Sequence, residues 1–497
     1  MDTILEAFAL VTEPYTLGVM LLAAMFGLFV GAMPGLTATM ATALLIPFTF
    51  FMDPVPAIAV IVTAVATAIF AGDIPGALLR IPGTPASAAY CDESYAMTRK
   101  GLAERALGIG LVTSVIGGLT GAVVLSLSAP VLAEFALRFS SFEYFWLACL
   151  GLSCAVIIST GSTLKGFVSL LIGLFIATIG IDGTAGHPRF TFGNVELMGG
   201  VSFIPAMIGM FAISEVLRYV ASTREALPVP QQPVGSVFGG IGPILRRYKM
   251  NIVQGSSLGA IIGILPGAGA DIAAWISYAI AKKRSKEPEK FGTGHPEGLV
   301  AAGSANNAAV AGAWVPAIVF GIPGDSITAI VIGVLYMKGM NPGPMVFVEK
   351  PELIYAVFIA FFIANLALLP LGFAAIKMSR QILKVPQRIL MPIILLFCIV
   401  GAFAINNTVF GVTVMLVLGI IAYVMEENGF PVAPAILGIV LGAMIEDNFM
   451  ASMIKADGSL SGFFSRPIAA TLGVLTLLLW TMPLFLTLRR WLRPGTE

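Results

Sequence analysis

The chain has 497 residues, of which 58% are hydrophobic and 11% charged, and its formal net charge is +1 at pH 7. Soluble domains carry roughly 25% charged residues, so an ordinary soluble fold is excluded, and so balanced a charge leaves no electrostatic footprint for nucleic acid. Apolar runs of transmembrane length recur almost from end to end, and the longest polar gaps, residues 81–105, 222–250 and 282–298, are too short for a separate soluble domain.

The N-terminal "MDTILEAFAL" is acidic. It lacks the basic region and small-residue cleavage site of a signal peptide, so it is expected to stay attached. Residues 16–50 form an apolar stretch broken by "GLFVGAMPG" (27–35) and "PGLTAT" (34–39). A span is expected near 56–71, followed by the turn "IPGTPAS" (81–87) and spans near 106–129, 142–158, 167–181 and 199–220. A second broken stretch, residues 251–281, carries "GAIIGILPG" (259–267) and "PGAGAD" (266–271). Further spans are expected near 299–321, 353–376, 390–405, 409–424, 432–445 and 467–488, with "IPGDSIT" (322–328) after the first of them. Cys91, Cys149, Cys154 and Cys398 are scattered without metal-ligand spacing.

The two broken stretches are related. Gly27, Gly31, Pro34 and Gly35 recur as Gly259, Gly263, Pro266 and Gly267, 232 residues on. Pro75, Pro82 and Gly83 recur as Pro316, Pro323 and Gly324, 241 residues on. Two ordered matches with similar separations indicate two homologous halves.

Charge orients those halves, because cytoplasmic loops are enriched in Lys and Arg. Residues 16–50 are flanked by Asp2, Glu6, Glu13 and Asp53, whereas 251–281 are flanked by "RRYK" (246–249) and "KKRSK" (282–286). Each stretch therefore enters and leaves on one side, outside for the first and inside for the second. Carried along the chain, this alternation puts Arg80, Arg99, Lys100 and Arg105 inside. The 218–249 cluster, Lys377, Arg380, Lys384, Arg388, Arg489, Arg490 and Arg493 fall on the same side. "DGTAGHPRFTFGN" (182–194) falls outside; Arg138, Arg189, Lys338, Lys350, Lys455 and Arg466 are isolated exceptions.

The expected fold is an all-α polytopic membrane protein of two inverted repeats, each with a re-entrant helical hairpin and about five spans, plus one final span. The first repeat covers 1–250 (hairpin about 16–50) and the second 251–466 (hairpin about 251–281). Residues 467–497 give the final span and a basic cytoplasmic tail.

Inverted repeats with interrupted helices mark secondary transporters. Irregular backbone at membrane depth is tolerated where protein buries it or water reaches it. A break leaves N–H groups at one half-helix end, suited to an anion, and carbonyls at the other, suited to a cation such as Na⁺. The expected solute contacts are therefore Pro34, Gly35, Thr37 and Thr39; Gly83, Thr84 and Ser87; Gly267, Ala268 and Gly269; and Gly324, Asp325 and Ser326. The alternative for each Pro-Gly is a plain loop or kink. Asn306 and Asn307, in "GSANNAAVAG" (303–312), are costly in an apolar segment unless bonded. They fit either a ligand site or interhelical hydrogen bonding. Asp271, Thr39, Asn306 and Asn307 are the expected Na⁺ ligands. Asp73 is open between a cation or proton carrier and a helix cap.

"GAMPGLTATMATALLIPFTF", "RIPGTPASAAYCDE", "GILPGAGADIAAW" and "GIPGDSITAIVIGVLYMKGMNPGP" resemble the large membrane subunit of tripartite tricarboxylate transporters, the TctA family. The likeness covers nearly the whole chain. It implies a bacterial inner-membrane importer of organic carboxylates, citrate among them, with no cofactor and with Na⁺ as the coupling ion. The implied partners are a small four-span membrane subunit (TctB-like) and a periplasmic solute-binding protein (TctC-like). The repeat suggests an elevator-like movement of the hairpins.

Two rivals come from other classes. A channel would also use broken helices, but it needs no paired inverted hairpins. "GSSLG" (255–259) fits G-x-S-x-G with Ser257 as a hydrolase nucleophile, but no strand–turn–helix pattern surrounds it. The only histidines are His187 and His295, and no phosphate-binding loop for ATP is present.

Overall fold

The computed structural model describes residues 2–158, 162–183, 186–221, 236–267, 269–383, 385 and 387–491. Ala268, Lys384 and Arg493 lie outside the described residues.

Helix α1 (Asp2–Thr12) leads into α2 (Pro14–Gly31) and α3 (Ala38–Phe50), the two arms of the first broken stretch. α4 (Pro54–Ala71) continues through Gly72 into α5 (Asp73–Leu79), and α6 (Cys91–Arg99) precedes the long α7 (Ala103–Ala136). α8 (Ser141–Ile158) and α9 (Thr163–Ala177) follow, then the small antiparallel pair β1 (Gly180–Ile181) and β2 (Pro188–Arg189). α10 (Phe203–Ile208) and α11 (Ser214–Ala221) are joined by a π-helical turn, Gly209–Ile213.

After α12 (Ile241–Arg247), α13 (Lys249–Ile264) and α14 (Gly269–Arg284) form the second broken stretch. α15 (Pro296–Phe320), α16 (Ser326–Met337), α17 (Val346–Glu349) and α18 (Pro351–Leu383) come next. α19 (Gln387–Asn406), α20 (Val409–Glu427), α21 (Val432–Lys455) and α22 (Pro467–Trp491) complete the chain. Several helices open on proline (α2, α4, α15), where its fixed φ suits the first turn and its missing N–H costs nothing.

Among the described residues, eight helices are long and apolar enough to cross a membrane. The chain is thus an all-α polytopic membrane protein. α15 is not one of the eight, and it is buried from Gly298 to Val319, enclosed by protein rather than offered to lipid. One buried element has no counterpart in the sequence expectation. "SITAIVIGVLYM" forms α16, whose 12 residues are too few for a full span of about 20.

The chain packs as two compact units, each drawing stretches from both halves of the sequence. One comprises Met1–Glu134 and Ser202–Asn428. In it α20 packs on α10, α11 and the π turn between them, and α18 packs on α4 and α1. The other comprises Phe135–Val201 and Gly429–Glu497, with α21 packed against α8 and α9. Within this second unit Arg189 makes a bidentate bond to Glu446, at 2.5 and 3.0 Å.

Both broken stretches dock in the same way. A Cβ built at Gly27 or Gly31 of α2 would lie 2.4 Å from the carbonyl oxygen of Ala64 or Ala68 in α4. At Gly259 and Gly263 of α13 it would lie 2.3 and 2.4 Å from those of Ala305 and Ala309 in α15. The glycine pairs are 232 residues apart and the alanine pairs 241, the separations carried by the sequence motifs. Such contact needs bare backbone on one side and small residues on the other.

Candidate functional site

Both stretches break where the sequence places proline and glycine. The chain turns at Gly35 (φ +89°) between α2 and α3, and at Gly267 (φ +81°) between α13 and α14. Thr37 caps α3, its hydroxyl accepting from Met40 N at 3.2 Å, while Gly35 stays exposed and Pro34 and Thr39 half-buried. α14 restarts at Gly269, which has φ +55° and whose built Cβ would lie 2.9 Å from Cβ of Asp325. Only glycine satisfies both the backbone and the space there.

The two "IPG" turns share one local structure. Backbone N–H of Thr84 donates to Ser87 Oγ and that of Ser87 to Thr84 Oγ1, each at 3.1 Å. Asp325 N donates to Thr328 Oγ1 at 2.9 Å and Thr328 N to Asp325 Oδ1 at 2.7 Å. Thr84 and Ser87 stand 241 residues before Asp325 and Thr328. Before each turn the preceding helix ends in the left-handed region, at Arg80 (φ +59°) and Gly321 (φ +68°), again 241 apart. Gly83 and Gly324 then press on the backbone of Gly72 and Ala313. Ser326 begins α16 half-buried.

Both turns meet the second tip. Asp271 Oδ1 accepts from Ala86 N at 3.1 Å, and Trp275 Nε1 donates to Pro85 O at 3.3 Å. Asp325 touches the tip from the other turn, against Gly269. Two carboxylates, Asp271 and Asp325, thus flank the start of α14. Asp271 itself remains exposed.

Beneath the first turn lies a buried polar cluster. Tyr90 donates to Asp73 Oδ1 at 2.6 Å and accepts from Asn306 Nδ2 at 3.1 Å. Asp73 Oδ2, Asn306 Oδ1 and both amide atoms of Asn307 are buried without a partner. α6 is then locked to the second hairpin by Glu93, which is fully buried. Its Oε1 accepts from Tyr278 Oη at 2.9 Å and Gly292 N at 2.5 Å, and its Oε2 from Gly294 N and His295 N, both at 2.7 Å. Those three backbone donors lie just before α15, which begins at Pro296.

The structure therefore brings together Gly269, Asp271, Asp325 and the Thr84–Ser87 turn, and sets Asn306 beside that turn through Tyr90. At the first tip the Thr37 hydroxyl bonds within its own helix. Tyr90, Glu93, Trp275 and Tyr278 were not singled out in the sequence; their partners lie far along the chain, so no local pattern marks them. Among the described residues no group of three or more His, Cys, Asp or Glu forms a metal site. Ser257 sits in the middle of α13, without the strand-to-helix elbow a hydrolase nucleophile needs.

The profile of the "Tripartite tricarboxylate transporter TctA family" matches residues 17–437. The chain is 34% identical over 450 residues to an "Uncharacterized 52.8 kDa protein in TAR-I ttuC' 3'region" of Agrobacterium vitis, covering 90% of this chain and 89% of that one. It is 36% identical over 228 residues to an "Uncharacterized protein in TAR-II ttuC' 3'region" of the same organism, covering 45% of this chain and 94% of that one. No solved structure matches significantly. The profile spans both broken helices and both "IPG" turns, and the chain belongs to the tripartite tricarboxylate transporter TctA family of membrane transport proteins.

Proposed function

We propose that this chain is the large transmembrane subunit of a solute-binding-protein-dependent importer of organic carboxylates, a tricarboxylate such as citrate or a related di- or aromatic carboxylate. It sits in the bacterial inner membrane with its N-terminus periplasmic and its C-terminus cytoplasmic. It works with a TctB-like four-span subunit and a TctC-like periplasmic binding protein, and a Na⁺ gradient drives uptake. The two halves insert with opposite orientation, and the hairpins move elevator-fashion against a scaffold.

One observation carries the reading: helix starts at Gly269 and Ser326 and the Thr84–Ser87 turn converge on a place that also holds Asp271 and Asp325. Helix starts favour a carboxylate. The two aspartates oppose it unless a cation arrives as well, which gives obligatory symport a physical cause. Asp271 and the unpartnered amide of Asn307 are the cation ligands in this reading, with Thr39 completing the set from the first tip.

The test is uptake of radiolabelled citrate and other carboxylates into vesicles holding the complete system, with and without an imposed Na⁺ gradient. Losing one charge-assisted contact is worth about 1.5–3 kcal/mol, so Asp271→Ala and Asn307→Ala should each lower subsaturating uptake about 10- to 100-fold. Membrane levels should be unchanged. Normal Na⁺-dependent transport by both variants would defeat the site, and flux that neither saturates nor needs a gradient would identify a channel.

A further inference from the structure

Asp73 is 5% exposed and Tyr90 1% exposed, yet only one oxygen of the Asp73 carboxyl has a partner. Oδ1 accepts the Tyr90 hydroxyl at 2.6 Å. Oδ2 faces α7, where a Cβ built at Gly110 would lie 3.1 Å away. The carboxyl does not cap its helix: Oδ1 takes the tyrosine hydroxyl and Oδ2 has no hydrogen-bond partner.

Among the described residues, the charged groups on the packed elements are engaged elsewhere, Arg105 of α7 with Gly240 O at 3.2 Å. On α6, Cys91 Sγ donates to Gly76 O at 3.4 Å, Asp92 pairs with the exposed Arg80, and Glu93 is spent on the backbone just before α15. On α7 and α18, Glu104 and Lys377 pair with each other at 3.5 Å. α15 contributes the neutral Asn306. Among the described residues Asp73 enters no ion pair. An uncompensated carboxylate in such a place costs several kcal/mol, so the carboxyl must bind something positive. A proton needs only the one oxygen, Oδ2, that faces α7.

The fold does not require this acid. The position 241 residues on is Trp314, fully buried, so the second half fills the equivalent place with an indole. A carboxyl present in one half alone points to a task beyond packing.

We propose that Asp73 is a proton-binding site: its carboxylate takes a proton from hydronium, releasing water, and later returns it to water. Tyr90 links that event to the substrate turn. It lies three residues after Ser87, and Ala86 within the turn holds Asp271. Ionised Asp73 must gain water, which requires Tyr90 to move, and the turn moves with it. The link to transport rests on the proposed function; the proton site does not.

Infrared difference spectra between acidic and alkaline buffer, taken on the full-length chain in phospholipid vesicles without any carboxylate substrate, decide the matter. The wild type should show a protonated-carboxyl band that Asp73→Asn loses and Asp271→Asn retains. Tyr90→Phe should move the same band to higher frequency, because Oδ1 no longer accepts a hydrogen bond. Identical carboxyl bands in wild type and Asp73→Asn, or an unmoved band in Tyr90→Phe, would overturn the proposal. Neither result bears on whether the hairpin tip binds carboxylates.

Discussion

Glu93→Ala should loosen the second hairpin from α6 and cost about 3–5 kcal/mol of stability, the range for breaking a buried charged network. The reason is the number of donors that depend on one side chain. Three backbone N–H groups, at Gly292, Gly294 and His295, and the hydroxyl of Tyr278 converge on its two oxygens. Each buried donor left unsatisfied costs about 1–3 kcal/mol, and water reaching the cavity recovers part of that. Glu93→Gln keeps one acceptor but turns an amide N–H₂ toward N–H donors, so it should lie between alanine and the wild type. Lys100 remains as a secondary tie, donating to Thr293 O at 2.7 Å. Denaturant unfolding in mixed micelles reads the loss. A Glu93→Ala protein within about 1 kcal/mol of the wild type would mean that the node contributes less than a typical buried hydrogen bond.

The second large effect concerns the glycines under the hairpins. Gly31→Val and Gly263→Val should both prevent close docking, and to a similar extent. In each case the added carbon would sit 2.4 Å from a carbonyl oxygen of the facing helix. Neither partner is the flexible end of a side chain, so the helices must separate along their length. Overpacking of this kind costs about 1–3 kcal/mol or more, and separation also removes the small-residue contacts that hold helices together in lipid. Gly18, on the same helix as Gly31, has nothing within 4 Å of a built Cβ. Gly18→Ala should therefore be tolerated, or gain up to about 1 kcal/mol from helix propensity. Yield of monodisperse protein and its unfolding midpoint compare the three. Gly263→Val behaving like Gly18→Ala would show that α13 and α15 do not meet as closely as described.

Much of the site was legible because proline and glycine act on their own backbone. Gly35 and Gly267 have positive φ, and Gly321 ends α15 in the left-handed region. The spacing of these residues placed both breaks: the turns at Gly35 and Gly267 separate Pro14–Gly31 from Ala38–Phe50 and Lys249–Ile264 from Gly269–Arg284. By contrast, α16 was overlooked because hydropathy is judged against a full membrane crossing, and a short helix enclosed by protein does not meet that measure.

By itself the sequence determined an all-helical membrane chain, its family, its two broken helices and the residue types at each break, because apolar length and backbone preference are local properties. Only the tertiary structure decided which break meets which turn. Asp271 finds Ala86 across 185 residues and Asn306 finds Tyr90 across 216. It also decided that a buried acid sits beneath the turn and that each packed unit takes pieces of both halves. Those outcomes depend on which surfaces bury each other, and helical periodicity says that a face is apolar without saying what it faces.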